Sequence, residues 1–235
     1  MNKKTIYWTS GIIAILIIIL LIVWAAFGRD SSTRSNDDIP RGPAAEQALS
    51  SYLEDQDILM DKMMEDMEHV QPSGNAALDF LNGMIPHHEA AVSMSESYLE
   101  YGGADKELKE LAKYIVRIQK EEIAQMQSYI DELETDGTED PEQEQAYLEA
   151  YETMLSSHHS AHSSHGTSAN VEAAFAEGMI MHHQMAVEMA QAVVGNTDSE
   201  KVTTLAENII QAQQNEITQI QEIMKRLSDG THSHH

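Results

Sequence analysis

The feature that most constrains this chain is a segment that occurs twice, 95 positions apart. Residues 83–88 read Gly-Met-Ile-Pro-His-His, and residues 178–183 read Gly-Met-Ile-Met-His-His. Met94 and Met189 follow the two His-His pairs at the same spacing. A repeat with this period predicts one domain that is built from two similar halves.

Each copy places soft metal ligands on one face of a helix. At about 100° per residue, Met84, His87, His88 and Met94 fall within an arc of roughly 120°. Thioether sulfur prefers Cu(I), imidazole accepts either oxidation state of copper, and Mg²⁺ or Ca²⁺ would require oxygen ligands. The pattern therefore favours copper. The candidate ligands are Met84, His87, His88, Met94, Met179, Met181, His182, His183, Met185 and Met189.

Core packing is the alternative interpretation of the same residues. Methionine is unbranched and fills irregular gaps in hydrophobic cores, and a histidine inside a bundle is commonly a buried polar group with a hydrogen-bond partner. Core packing does not require the same His-His pair and flanking methionines twice, so we favour metal binding. A purely structural helical module, with buried and dry His pairs, stays open.

A second pair of clusters lies upstream of the two His-His pairs. Four methionines recur at i, i+3, i+4 and i+7, and histidines replace three of them at offset 95. The methionines suit Cu(I), and the histidines also suit Cu(II). A flexible Ser/His tract that binds metals loosely is the alternative for the second cluster. These secondary candidates are Met60, Met63, Met64, Met67, His158, His159, His162 and His165.

The segments that follow the two His-His pairs also match, after a slip of one residue. Each carries Gln-x-x-Glu-Ile on one helical face. We expect these residues to lie behind the metal ligands and to orient them. They are Gln119, Glu122, Met126, Gln213 and Glu216, and Met126 corresponds to Ile220 in the second half.

Helix-forming residues throughout and few alternating β-branched runs predict an all-α fold. Gly, Pro and Asn breaks predict helices near 45–69, 75–101, 104–134, 141–160, 169–194 and 198–228. The second, third, fifth and sixth of these form a four-helix bundle whose His-bearing helices face the core. At Pro86 the helix kinks, or a new helix begins near Ile85, or Gly83 relieves the crowding.

Composition excludes some functions. The net charge is −25, from 39 acidic against 14 basic residues, which argues against nucleic acid as a partner. The chain has no cysteine, so it has neither disulfides nor thiolate metal sites. The acidic residues favour solubility and weak attraction of cations.

The N-terminal region predicts a membrane anchor. Lys3 and Lys4 precede an apolar run from Ile6 to Phe27, which is long enough to span a bilayer. We expect the N-terminus to be cytoplasmic in a single-pass cell-membrane protein whose domain is extracytoplasmic. A cleaved signal peptide is the alternative. The predicted divisions are an anchor at 1–28, a flexible linker at 29–45, and a helical metal-binding domain at 46–235 with half-repeats 46–136 and 137–230.

The paired Gly-Met-Ile-x-His-His-x-x-Ala-Val-x-Met segments, each followed by Gln-x-x-Glu-Ile, resemble domain-of-unknown-function family 305 over roughly residues 74–228. The resemblance implies a ferritin-like four-helix fold, export, and an association with copper binding and copper tolerance. It places the family motif on Met84, His87, His88, Met94, Met179, His182, His183 and Met189.

Two functions follow from these observations. The favoured one is a non-enzymatic copper-binding protein that sequesters copper, confers tolerance or delivers the metal to a copper-transport partner. The alternative is a ferritin-like metal oxidase or cupric reductase. A di-iron oxidase would need Glu-x-x-His motifs, which the four central helices lack. The sequence contains no phosphate loop or nucleotide fingerprint, and it gives no oligomeric state.

Overall fold

The described part of the protein is built from helices. The computed structural model describes residues 42–102, 105–162 and 168–232, without the side chains of 159–162 and 230–232. Within these ranges there are six helices and no strand, which confirms the all-α prediction. The helices are α1 (Pro43–Glu68), α2 (Ala76–Tyr101), α3 (Lys106–Asp136), α4 (Pro141–His162), α5 (Val171–Val194) and α6 (Glu200–His232).

The two His-bearing helices begin with the same cap. The side-chain oxygen of Asn75 accepts hydrogen bonds from the backbone N–H groups of Ala77 and Leu78, at 2.9 and 3.3 Å. At offset 95, the side-chain oxygen of Asn170 accepts from the N–H of Ala173 at 2.8 Å. Asparagine is a favoured N-cap because it satisfies donors that the first helical turn leaves free. The sequence repeat thus sets the start of both helices.

The core lies where α2 and α5 meet. α2 packs against α3, α5 packs against α6, and the pairs join through contacts of α2 with α5 and of α3 with α6. Tyr98 of α2 stacks on Phe175 of α5, with ring centroids 4.3 Å apart and planes 12° from parallel. α1 and α4 pack on α2 and α5. The helical bundle is confirmed, and its ferritin-like topology stays a prediction.

Helix α2 continues through Pro86 from Ala76 to Tyr101. The alternative in which a new helix begins near Ile85 is therefore wrong. Gly83 instead makes room for a neighbouring helix: a Cβ atom at this position would lie 2.9 Å from the hydroxyl oxygen of Tyr151 on α4. That hydroxyl donates a hydrogen bond to the carbonyl of Met67 on α1 at 3.0 Å. Tyr151 thereby ties α1, α2 and α4 together.

The predicted anchor at 1–28 and most of the linker at 29–45 lie outside the described residues. Among the helices of the described ranges, none has both the length and the apolar character that a bilayer crossing requires. The anchor and the division into half-repeats 46–136 and 137–230 stay predictions.

Candidate metal centre

Four imidazole rings form a row where α2 meets α5, in the order His88, His87, His182, His183. The ring centroids of His88 and His87 are 6.2 Å apart, those of His87 and His182 are 3.7 Å apart, and those of His182 and His183 are 6.0 Å apart. No ring is more than 1% exposed. Because His87 and His182 occupy equivalent positions of the repeat, the two halves meet at their own equivalent residues. The predicted inward orientation of both His pairs is confirmed.

The Nε2 atoms of three of these rings have a neighbour within hydrogen-bonding distance. Nε2 of His88 lies 3.0 Å from Oε2 of Glu122, and Nε2 of His183 lies 2.7 Å from Oε2 of Glu216. The contact of His88 has hydrogen-bond geometry, whereas that of His183 does not. Nε2 of His182 lies 2.9 Å from the carbonyl oxygen of His87, to which its N–H donates. Both carboxylates lie beside histidines, as the sequence predicted.

Buried polar atoms without a hydrogen-bond partner are concentrated in and near this row. An unpaired buried polar atom costs about 1–3 kcal/mol, so native cores contain few of them. The imidazole nitrogens among them are potential ligand atoms for a metal ion. Within the described residues, the unpaired atoms include Nδ1 of His87, His88, His182 and His183, Nε2 of His87 and His183, Oε1 of Gln119 and Gln213, and Oγ of Ser95.

Burial also controls the protonation of the two central rings. Desolvation lowers the pKa of His87 well below the usual histidine range, and the nearby ring of His182 lowers it further. Burial likewise lowers the pKa of His182, with a further contribution from His183. Both rings are therefore neutral at neutral pH. A neutral imidazole keeps a lone pair that can bind a metal ion.

Five of the six predicted sulfur ligands of α2 and α5 are buried with the imidazoles. They are Met84, Met94, Met179, Met185 and Met189. The methyl group of Met94 reaches across to α5, where a Cβ atom on Gly178 would contact it at 3.4 Å. Met181, in contrast, is 37% exposed. It lies about 100° around the helix from His182, on the side away from His183, which takes it out of the buried arc.

Imidazole and carboxylate groups do not complete a metal site by themselves. Within the described ranges, no three or more His, Asp or Glu side chains are grouped so that they could hold an ion. The buried methionines of α2 and α5 are further potential ligands in the same core. The donor set fits a soft cation better than a hard one.

The secondary clusters have different outcomes. Met60, Met63, Met64 and Met67 are all buried in the core that α1 forms with its neighbours. Metal binding by these methionines stays a prediction. His158 is half-buried, and its Nε2 lies 3.2 Å from Oε2 of Glu188. The side chains of His159 and His162, and all of His165, lie outside the described part of the chain.

Of the five residues expected behind the ligands, four are buried and Glu122 is half-buried. Gln119, Gln213 and Glu216 are at most 4% exposed, and Met126 is fully buried, as is its counterpart Ile220. The sequence analysis missed Ser95, which is also fully buried. Its position seven residues after His88 placed it on the same helical face, and that spacing was a usable signal.

The sequence profile of the family described as "Domain of unknown function (DUF305)" matches residues 30–130 and 78–224. The chain belongs to the DUF305 family. The resemblance stated from the repeated motif is thereby confirmed.

Individual relatives are more distant. The chain is 43% identical over 53 residues to the uncharacterized protein L153 of Acanthamoeba polyphaga mimivirus, a match that covers 23% of this chain. It spans about a third, 34%, of the length of that curated relative.

Solved structures with a similar sequence include CopM. The Ag-bound form of CopM is 31% identical and the Cu(I)-bound form 29% identical; each match covers 64% of this chain and 96% of CopM, with a TM-score of 0.47. A DUF305 fragment from Deinococcus radiodurans is 24% identical, with 66% of this chain and 99% of the fragment covered, also at a TM-score of 0.47.

Proposed function

We propose that this protein binds copper in its core and stores it or hands it on, without turnover. The observation that carries the proposal is the row of four buried imidazoles with unpaired ring nitrogens, placed among five buried methionines. Imidazole nitrogen and thioether sulfur are the ligands that Cu(I) prefers. Hard cations would require oxygen ligands, and the two carboxylates at the centre already lie against imidazoles.

The neutral state of the central rings supports metal binding. A ring that carried a proton on both nitrogens would have to lose one before it could act as a ligand. Burial keeps His87 and His182 neutral, so no such proton must be lost at neutral pH. The core is thus ready to accept a soft cation.

We further propose that the domain works outside the cytoplasm at the cell membrane. The apolar run from Ile6 to Phe27 and the preceding Lys3 and Lys4 support a single-pass anchor with a cytoplasmic N-terminus. A protein held there sequesters copper before it enters the cell, or passes it to a copper-transport partner. Tolerance to copper is the expected benefit.

The test is a copper titration of the full chain in detergent, under reducing and under oxidising conditions, read by native mass spectrometry. The informative variant is His87→Leu with His182→Leu, which removes two donors while roughly keeping side-chain volume. His69→Ala is the control, because His69 is an exposed histidine beyond the end of α1. We expect the wild type and the control to retain copper and the double variant to lose most of it.

Circular dichroism without metal separates binding from folding. The double variant should keep nearly all of the wild-type helix content. Absence of retained copper in the wild type in both redox states would contradict the proposed function. Equal retention by the double variant would show that copper binds elsewhere.

A ferritin-like metal oxidase or cupric reductase is the second candidate. The observation that favours it is the contact of one carboxylate with one imidazole in each half, His88 with Glu122 and His183 with Glu216. Carboxylate and imidazole together are the ligands of di-iron sites in helical bundles. One carboxylate per half is fewer than such sites use, so we rank this candidate second.

A further inference from the structure

Glu122 and Glu216 stand in the same relation to the His pairs in both halves. Each carboxylate comes from the helix that follows its His-bearing helix, and each lies next to the second histidine of the pair. The distances are 3.0 Å for His88 with Glu122 and 2.7 Å for His183 with Glu216. In both cases the ring atom is Nε2. The side chains of Glu122 and Glu216 are 15% and 6% exposed, so water competes little for either contact.

An ionised carboxylate accepts hydrogen bonds and cannot donate them. The ring nitrogen that faces it must therefore carry the proton. In a neutral imidazole the lone pair then resides on the other nitrogen, Nδ1. Among the described residues, Nδ1 of His88 and Nδ1 of His183 are buried and have no hydrogen-bond partner. For His88, whose contact with Glu122 is a hydrogen bond, this arrangement leaves Nδ1 as the ring atom available to a ligand.

We infer that Glu122 and Glu216 are positioning residues, which fix the Nε2–H tautomer of His88 and His183 so that a soft ion is bound through Nδ1. This inference rests on the proposed copper binding. A carboxylate on the far side of a ligating histidine also raises the basicity of the ring and fixes its orientation. Its negative charge offsets the cost of placing a cation in a dry core.

The two halves differ in how far the tautomer is set before the ion arrives. The contact of His88 with Glu122 is an aligned hydrogen bond. Nε2 of His183 and Oε2 of Glu216 are close but misaligned, and within the described residues neither has a hydrogen-bond partner. In the first half, the tautomer of His88 is therefore set before an ion binds. In the second half, the side chain of His183 or Glu216 has to reorient before the same hydrogen bond can form.

The experiment measures histidine tautomers in the metal-free full chain. The protein, in detergent and labelled with ¹⁵N-histidine, is studied by two-bond ¹H–¹⁵N NMR, which distinguishes the protonated ring nitrogen. Glu122→Gln is the informative variant, because a glutamine amide both donates and accepts and so permits either tautomer. Glu121→Gln is the control, since Glu121 is exposed and pairs with Arg117 on the same helix.

In the wild type, we expect His88 to carry its proton on Nε2 alone. Glu122→Gln should give a mixture of tautomers at His88 and weaken Cu(I) binding about 10- to 100-fold in a competition titration. Glu216→Gln should change the metal-free tautomers less than Glu122→Gln does. The control should match the wild type in both measurements.

A proton on Nδ1 of His88 in the wild type would overturn the inference. So would a Glu122→Gln variant that lowers the melting temperature but leaves tautomer and affinity unchanged, because that result would assign Glu122 a structural role only. The NMR result does not depend on copper. If the wild type shows the expected tautomer but retains no Cu(I), the proposed function fails while the positioning of the ring stands.

Discussion

Asp79 of α2 is a buried residue whose carboxyl group lies next to that of Glu144 on α4. Its side chain is 1% exposed, and its Oδ1 accepts a hydrogen bond from the N–H of Ser73 at 2.9 Å. Burial raises the pKa of Asp79 to about 6, Glu144 of α4 raises it too, and the hydrogen bonds from Ser73 oppose this rise. At offset 95 the second half has Ala174. The carboxyl pair thus belongs to the first half alone.

The raised pKa makes the folded protein bind a proton more tightly than the unfolded chain does. The free energy of unfolding therefore falls as the pH rises from the ordinary pKa of 3.8 to the folded-state pKa of about 6. Above that range the contribution of Asp79 to stability is fully lost. Asp79→Asn resembles the protonated acid at every pH. We expect the free energy of unfolding in urea to be about 1–3 kcal/mol higher for this variant than for wild type at pH 7.5, with little difference at pH 4.

The control for Asp79→Asn is Glu152→Gln, which removes an exposed carboxyl from the middle of α4. It should change stability little at either pH. If the difference in unfolding free energy between Asp79→Asn and wild type is the same at pH 4 and pH 7.5, the raised pKa of Asp79 does not affect stability.

At the scale of helices, the repeated glycines provide a matched pair of substitutions. A Cβ atom on Gly83 would lie 2.9 Å from the hydroxyl oxygen of Tyr151, whereas one on Gly178 would lie 3.4 Å from the flexible end of Met94. Gly83→Ala should therefore destabilise the protein by about 1–3 kcal/mol, the usual cost of overpacking. Gly178→Ala should be neutral or stabilising by up to about 1 kcal/mol, because alanine favours the helix.

Urea unfolding of the two glycine variants tests this difference. Adding Tyr151→Phe to each variant completes the comparison, because loss of the hydroxyl removes the closest contact at Gly83, leaves ring carbons at 3.2 Å, and does not touch Gly178. The double variant with Gly83→Ala should recover part of the loss. If both glycine variants are equally stable, α4 does not pack against α2 at this position.

Helix positions were predictable from the sequence because local signals determine them. Asn75 and Asn170 cap their helices through their own side chains, and Gly137 ends α3 in the left-handed region at φ 64°. The course of α2 at Pro86 was not predictable, since it depends on packing by residues far away in sequence. The inward His pairs followed from periodicity, whereas the pairing of His88 with Glu122 required the relative rotation of two helices.

For the molecule as a whole, the balance of donors separates a metal carrier from an oxidase. The centre has four imidazoles and one carboxylate beside each outer ring. Oxygen chemistry in helical bundles uses more inward carboxylates than this. We expect no oxygen uptake with Fe(II) or Cu(I), and no reduction of Cu(II), above the rates of the free ions.

An oxygen electrode and a Cu(I)-specific chromophore measure these rates on the full chain. Glu216→Ala is the informative variant, since Glu216 is the more buried of the two carboxylates. Several turnovers per chain that Glu216→Ala abolishes would favour the oxidase. Copper that is bound once and released unchanged is the behaviour of a carrier.

The central ring contact joins the two halves unequally. His182 is tethered through its Nε2–H to the carbonyl of His87, whereas the ring of His87 has no hydrogen bond to any described residue. The centroids of the two rings lie 3.7 Å apart. If His87 binds copper as proposed, the ion displaces this shared ring contact and changes the environment of His182 at the same time. We therefore expect occupation of one half to alter the affinity of the other.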